Sequence, residues 1–182
     1  MQTGKIYLKY LEPNDVDELL RLRKQNRKFF QAYEPVRTDI HFTYETQLNE
    51  IHQYRLDAES DNGYTMGIFS KSSNKLMGRI SLSGIARGPF QNANLGYYLD
   101  KEQNGKGYVT EAVSLIIGFA FGELNLHRIQ AAVMPKNLGS IRILEKNGFR
   151  KEGSALRYLS INGVWEDHEI YALTKEDYTI HR

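Results

Sequence analysis

Hydrophobic and polar positions change period several times along the chain, and each change marks an element. "KIYLKYL" (Lys5–Leu11) alternates and predicts a first strand, which Pro13 and Asn14 interrupt. Asn14 is placed to cap a helix running through Arg23, with Val16, Leu19, Leu20 and Leu22 on its apolar side. "NRKFFQAYEPVR" (Asn26–Arg37) is aromatic-rich without a clean period, which predicts a short helix and a loop. "TYETQLNEIHQYRLDAE" (Thr43–Glu59) predicts a second full helix; Leu48, Ile51, Tyr54 and Leu56 form only a partial stripe, as on a helix lying along an edge. The period then falls to two. "GYTMGIFS" and "KLMGRISLSGI" flank the turn-forming "KSSN" and predict a hairpin. "NANLGYYLD" (Asn92–Asp100) predicts a third strand of this meander, and its Gly96 marks a bulge or a close backbone approach.

Helical spacing returns from Tyr108 to about Leu124, where Val109, Ala112, Val113, Ile116, Ala120 and Leu124 share one face. "HRIQAAVM" (His127–Met134) reads as a buried strand closed by Pro135. "LGSIRILEKNG" (Leu138–Gly148) reads as a short helix with Gly148 at its C-terminal cap. "FRKEGSALRYLSI" and "VWEDHEIYAL" flank Asn162-Gly163, the strongest short hairpin signal in the chain. The order is strand, two helices, a three-strand meander, helix, strand, helix, hairpin. It predicts a mixed α/β (α+β-type) fold with a largely antiparallel sheet and one βαβ passage. A chain of 182 residues suits one domain, spanning 1–182.

Composition narrows the function classes. Hydrophobic residues make up 41% and charged residues 25%, an ordinary globular balance able to bury a core without staples. The absence of cysteine excludes disulfides, thiolate metal sites and a cysteine nucleophile together. The first residues carry charge and show no apolar stretch of signal-peptide length, and no run approaches a membrane span, so a cytoplasmic location is the default expectation. A net charge of +2, evenly spread, gives no electrostatic case for direct nucleic-acid binding. Twelve tyrosines supply strand packing, and some are expected to line a groove with their polar tips.

The stretch "QNGKGYVTEA" (Gln103–Ala112) places two glycines and a lysine before the long apolar helix. Glycines let backbone amides approach a ligand, and the helix start offers unpaired N–H groups at its positive end. The pattern is neither G-x-G-x-x-G nor a Walker loop, since Lys106 lies between the glycines. On composition alone it is equally a phosphate cradle or a structural turn.

"LGYYLDKEQNGKGYVTEAV" followed by "LHRIQAAVMPKNLGSIRILEKNGFRKEG" resembles the acetyl-CoA-binding half of the Gcn5-related N-acetyltransferase (GNAT) superfamily. Together with "NRKFFQAYEPVR", "RGPF" at Arg87–Phe90 and "SINGVWEDHEIYALT", the chain is similar to the RimJ/RimL-like ribosomal-protein alanine N-acetyltransferases over nearly its whole length. The resemblance implies the GNAT fold, a splayed, mostly antiparallel sheet of about seven strands flanked by about four helices. It also implies that the turn holds the pyrophosphate of coenzyme A through Asn104, Gly105, Lys106, Gly107, Tyr108, Val109 and Thr110. Asn104 stands where the family carries a longer polar side chain, and Val109 where it carries a small one. The pantetheine arm would lie between two splayed strands at Tyr97–Leu99 and Arg128–Met134, a splay that suits Gly96. An amide near Tyr98 or Leu99 would then face the thioester oxygen.

The implied reaction is direct transfer of acetyl from acetyl-CoA to an amine. A protein α-amine is partly neutral near pH 7.5 and needs no strong base, and no cysteine is present to carry the acetyl group. Asn137 and Ser140, in "N-x-x-S", match the family position where a polar residue meets the cofactor sulfur: Ser140 as donor to the departing thiolate, Asn137 as cofactor contact and helix cap. Leu159 stands where RimL relatives carry a glutamate, which leaves Glu34 and Asp167 as candidates to receive the amine. Glu111 sits where its charge favours the helix dipole. His41, His52, His127, His168 and His181 show no paired metal spacing, and no metal is expected. The expected acceptor is a protein N-terminus, with ribosomal-protein alanine leading, or a small amine such as a polyamine or amine antibiotic; a non-catalytic acetyl-CoA sensor is the other reading. Acceptor choice would lie in Phe29–Arg37 and Thr43–Glu59. No membrane partner is expected, and a homodimer is compatible with the family.

Overall fold

In the computed structural model, which describes residues 1–2 and 4–180, the alternating segments form seven strands. They are β1 (Ile6–Tyr10), β2 (Gly63–Ser70), β3 (Leu76–Ala86), β4 (Asn92–Leu99), β5 (Arg128–Val133), β6 (Arg150–Ile161) and β7 (Val164–Thr174). One sheet contains them in the order β1-β2-β3-β4-β5-β7-β6. Every neighbouring pair is antiparallel except β4 and β5. The helices are α1 (Val16–Gln25), α2 (Arg27–Phe30), α3 (Tyr44–Glu59), α4 (Tyr108–Gly122), α5 (Leu138–Lys146) and α6 (Lys175–Ile180). Six helices stand against the about four implied by the family; α2 is the short helix predicted in the aromatic segment, and α6, after the last strand, is not predicted by the pattern. Among the described residues no helix is long and apolar enough to cross a membrane.

Period-two alternation divides the sheet into two faces. On one face Ala93, Leu95 and Leu99 of β4, Ile129, Ala131 and Val133 of β5, and Tyr171 and Leu173 of β7 pack with Val109, Val113 and Ile116 of α4 and Leu144 of α5. On the other, Phe69 and Leu76 pack with Val16, Leu19 and Leu22 of α1 and Ile51 of α3. The parallel β4–β5 pair is joined through α4, the βαβ passage that the pattern predicts.

The turn chemistry is mostly as read. Thr43, read as the first residue of its helix, is instead the cap of α3, its Oγ1 accepting from Thr46 N at 3.3 Å. Gly148 follows α5 at φ 82°, and Asn162 (φ 53°) and Gly163 (φ 79°) turn β6 into β7. Asn14 does not cap α1. Pro13–Asp15 form a 3-10 turn first, in which Asp15 Oδ2 accepts from Glu12 N at 2.9 Å, and α1 runs on to Gln25. Gly96 is no bulge: it pairs with Ser81 in unbroken register, and the irregularity falls between Ser83 and Ala86.

Candidate functional site

The parallel ladder between β4 and β5 is short. It joins Asn92, Ala93 and Asn94 to Arg128, Ile129 and Gln130, and beyond that point the two strands separate. The gap is a cleft of about 160 Å³ through the sheet. Its floor is β4 at Leu95–Tyr97 and β5 from Ala131 to Met134; Asn137, Ser140 and Leu144 border it on one side, Tyr33 and His168 on another. Gly96 lines the opening without a side chain, which is its role in place of a bulge.

Backbone parity decides which amides look into the gap. Asp100 N donates to Met77 O at 2.7 Å, and the register from Leu99 back to Asn94 is continuous with β3. Alternate residues of an antiparallel strand bond to the same neighbour, so the Tyr98 amide faces β3 and those of Tyr97 and Leu99 face the gap. The Tyr98 side chain lies on the far face, its ring 4.7 Å from that of Phe30 and 5.0 Å from the Arg23 and Arg79 guanidinium carbons.

At the other wall Asn137 caps α5, its Oδ1 accepting from Ser140 N at 3.2 Å. Capping fixes the first turn of α5 and so the position of the Ser140 hydroxyl. Ser140 Oγ lies 2.6 Å from the Tyr97 hydroxyl across the gap. Burial pushes the Tyr97 phenol up to about 12, with the Ser140 hydrogen bond pulling slightly the other way. Tyr97 keeps its proton at neutral pH and can donate it to Ser140 Oγ, which leaves the serine proton for a third group, or to the Ser140 carbonyl oxygen 3.3 Å away. The sequence reading missed Tyr97 as a side chain, although its parity with Leu95 and Leu99 puts it on the face that α5 covers.

The glycine turn stands at the start of α4. Gly105 (φ 77°) and Gly107 (φ 84°) both adopt left-handed backbone, and a side chain at either would meet no atom within 4 Å. Positive φ accounts for glycine at both places, and the open space leaves the backbone approachable. Asn104, Gly105, Lys106 and Gly107 are exposed, and Lys106 Nζ donates to Gln103 Oε1 at 3.0 Å. Tyr108 and Thr110 are half-buried, while Val109 is buried in the core. Val109 therefore points away from the turn and does not obstruct it. Glu111 lies in the first turn of α4, as the dipole favours.

Both carboxylates proposed to receive an amine make contacts within the fold. Glu34 is clamped by both terminal nitrogens of the buried Arg23, at 2.6 and 3.2 Å. Asp167 Oδ1 accepts from Arg157 N at 2.7 Å, holding a β6 bulge in which Arg157 has φ 51°. The bulge needs that carboxylate because it removes Arg157 from the ladder. The cleft presents His168 instead, buried at 4% exposure. His168 stands in phase with Ile170 and Ala172 of β7, an alternation readable in the sequence. His41 packs in the N-terminal layer, His127 pairs with Glu176, and His181 lies outside the described residues. No group able to hold a metal ion occurs among the described residues.

Comparison with known proteins agrees with this architecture. Residues 5–150 match the family described as Acetyltransferase (GNAT) domain. The chain is 49% identical to the probable N-acetyltransferase YjcK of Bacillus subtilis (strain 168), over 97% of this chain and 98% of that one. It is 31% identical to the [ribosomal protein uS5]-alanine N-acetyltransferase of Escherichia coli (strain K12), over 98% of this chain and 92% of the relative. The crystal structure of ribosomal-protein-S5-alanine acetyltransferase from Vibrio fischeri superposes with a TM-score of 0.92 at 32% identity, covering 98% of this chain and 97% of that one. The chain belongs to the GNAT family of acetyltransferases, among relatives that include the ribosomal-protein alanine N-acetyltransferases.

Proposed function

We propose that the protein transfers acetyl from acetyl-CoA directly to a protein N-terminal α-amine, with N-terminal alanine of a ribosomal protein as the leading acceptor. The observation that carries this reading is full-length similarity to uS5-alanine acetyltransferases, combined with a cleft that opens through the sheet. Two left-handed glycines at the start of α4 suit a pyrophosphate, because amides and the positive helix end meet there with nothing above them. The gap between β4 and β5 suits an extended pantetheine arm. An amide of Tyr97 or Leu99 would face the thioester oxygen and stabilise negative charge developing on it.

In this reading the neutral amine nitrogen attacks the thioester carbon, a C–N bond forms, the nitrogen gives up one N–H proton and the C–S bond breaks. Ser140 donates a hydrogen bond to the departing thiolate, which takes its proton from solvent. Asn137 holds Ser140 in place, and Tyr97 keeps the serine hydroxyl turned outward. A ribosomal acceptor would place the enzyme in the cytoplasm.

The test is incubation with acetyl-CoA and a panel of peptides differing in their first residue, with spermidine and an aminoglycoside as small-amine arms. Free thiol release and acetylated peptide mass are followed together. The reading expects alanine-starting peptides to have the highest kcat/KM. A small amine outrunning every peptide replaces the acceptor class, and absence of turnover with all acceptors points to a sensor.

A further inference from the structure

We propose that His168 is the group that takes the proton from the attacking amine, in place of Glu34, which is clamped by Arg23, and Asp167, which holds the Arg157 amide. The inference rests on the acetyl-transfer reading above and adds a residue to it. His168 Nδ1 lies 3.0 Å from the Glu166 carbonyl oxygen. A carbonyl can only accept, so Nδ1 carries a proton in that bond, and in the neutral ring the lone pair is on Nε2. No hydrogen bond to Nε2 is made by the described residues, and the ring lines the cleft. A buried histidine with one nitrogen anchored and the other uncommitted is arranged as a proton acceptor.

Its placement across the sheet matches the chemistry. Tyr97, on β4, packs with the α4–α5 face, and its hydroxyl meets Ser140 of α5. His168 has the opposite parity on β7 from Tyr171 and Leu173, which pack against that face. The cleft passes between the two sides, so a leaving group near Ser140 and an amine entering beside Tyr33 and His168 would approach one carbonyl from opposite faces. Lone-pair attack gives a zwitterionic adduct, and His168 Nε2 takes one N–H proton from it. The C–S bond then breaks, the thiolate is protonated by solvent, and the imidazolium returns its proton to water. Atoms and charge balance with no further reactant.

Few charges face the ring. The Tyr158 ring of β6 lies 5.4 Å away, tilted by 53°, while Tyr33 and Tyr97 share the cleft. On its own strand Glu166 is paired with Lys136 at 2.7 Å, Asp167 serves the Arg157 amide, and Glu169 pairs with Lys151. Asn137 and Ser140, from α5, are uncharged.

The experiment measures kcat/KM against pH between about 5 and 9, spanning histidine and α-amine titration. It uses acetyl-CoA with an alanine-starting peptide, and spermidine in parallel. His168→Asn keeps a side-chain N–H for the Glu166 carbonyl but has no base; His168→Gln is the second variant. Both are expected to lose about 100-fold in kcat/KM at neutral pH, with coenzyme A affinity within about twofold of wild type. On the acid side the slope of log(kcat/KM) for the α-amine should fall from two to one, since only the amine then titrates. Variants that keep wild-type rates, or lose rate with the slope still two, overturn the role of His168 alone. A wild type inert to every acceptor overturns the acetyl-transfer reading, and the histidine's role with it. Should both variants fail to fold, imidazole nitrogen NMR of the wild type decides: the neutral ring should be protonated at Nδ1, and protonation at Nε2 sinks the proposal.

Discussion

Tyr97 and Ser140 share one hydrogen-bonding task, and substitution can separate their parts. In the proposed reaction the serine touches the leaving group, and the tyrosine acts only through the serine. Ser140→Ala is expected to lower kcat about 100-fold, comparable with losing one preorganised donor to a developing anion. Tyr97→Phe keeps the ring and removes the hydroxyl, so about tenfold is expected, or about 1.4 kcal/mol of barrier. The double variant should be no slower than Ser140→Ala, because Tyr97 has nothing left to orient. Burial sets the pH signature of this pair. The Tyr97 phenol is raised to about 12, so its neutral form persists where an ordinary tyrosine begins to ionise. The ratio of wild-type to Tyr97→Phe rates should therefore stay constant up to about pH 10. A ratio collapsing near an ordinary tyrosine pKa, or a serine variant at full rate, would contradict the arrangement.

Caps offer the cleanest comparison at the level of elements, because two helices use the same device for different ends. Thr43 Oγ1 accepts from Thr46 N at the start of α3, and Asn137 Oδ1 accepts from Ser140 N at the start of α5. Replacing either by alanine removes one hydrogen bond to an otherwise orphaned amide, for about 1 kcal/mol of stability in each case. Thermal unfolding should register both losses alike. Only Asn137→Ala should also reduce kcat, since only that cap fixes a side chain in the cleft; equal kcat in the two variants would reduce Asn137 to a helix cap. These caps and turns are where the sequence is most legible, because each is a signal between residues a few positions apart. Asn137, Gly148 and Asn162-Gly163 act where their chemistry indicates. Asn14 misleads because Pro13 opens a separate 3-10 turn, which moves the start of α1 beyond it. Gly96 misleads because a glycine in a strand serves an open cleft as readily as a bulge.

Contacts across the whole molecule were illegible for the opposite reason: nothing local to either partner announces them. Tyr97 reaches Ser140 over 43 positions, and Glu34 is consumed by Arg23 rather than presented to a substrate. That second contact belongs to a network holding the N-terminal layer on the sheet. Arg23 also donates to His41 Nε2 at 3.0 Å, so His41 Nδ1 carries the proton toward Glu50 at 3.3 Å. Tyr54 donates to the same Glu50 at 3.0 Å, and Arg79 of β3 donates to Tyr54. The chain of contacts runs from α1 through the loop after α2 to α3 and β3. Its weakest tolerance is at Arg23, whose side chain is 4% exposed while Glu34 keeps 22%. Glu34→Gln leaves a buried guanidinium without its counter-charge, which is expected to lower stability by about 2–4 kcal/mol, moderated by the water that reaches Glu34. Arg23→Met with Glu34→Gln removes both charges and should recover much of that loss. Denaturant unfolding of the three proteins, read beside kcat, separates this structural role from a catalytic one. A structural Glu34 gives a large loss of stability, with kcat of the folded fraction nearly unchanged. A Glu34 acting as base would give the reverse, with near-native stability and a kcat that collapses in both variants.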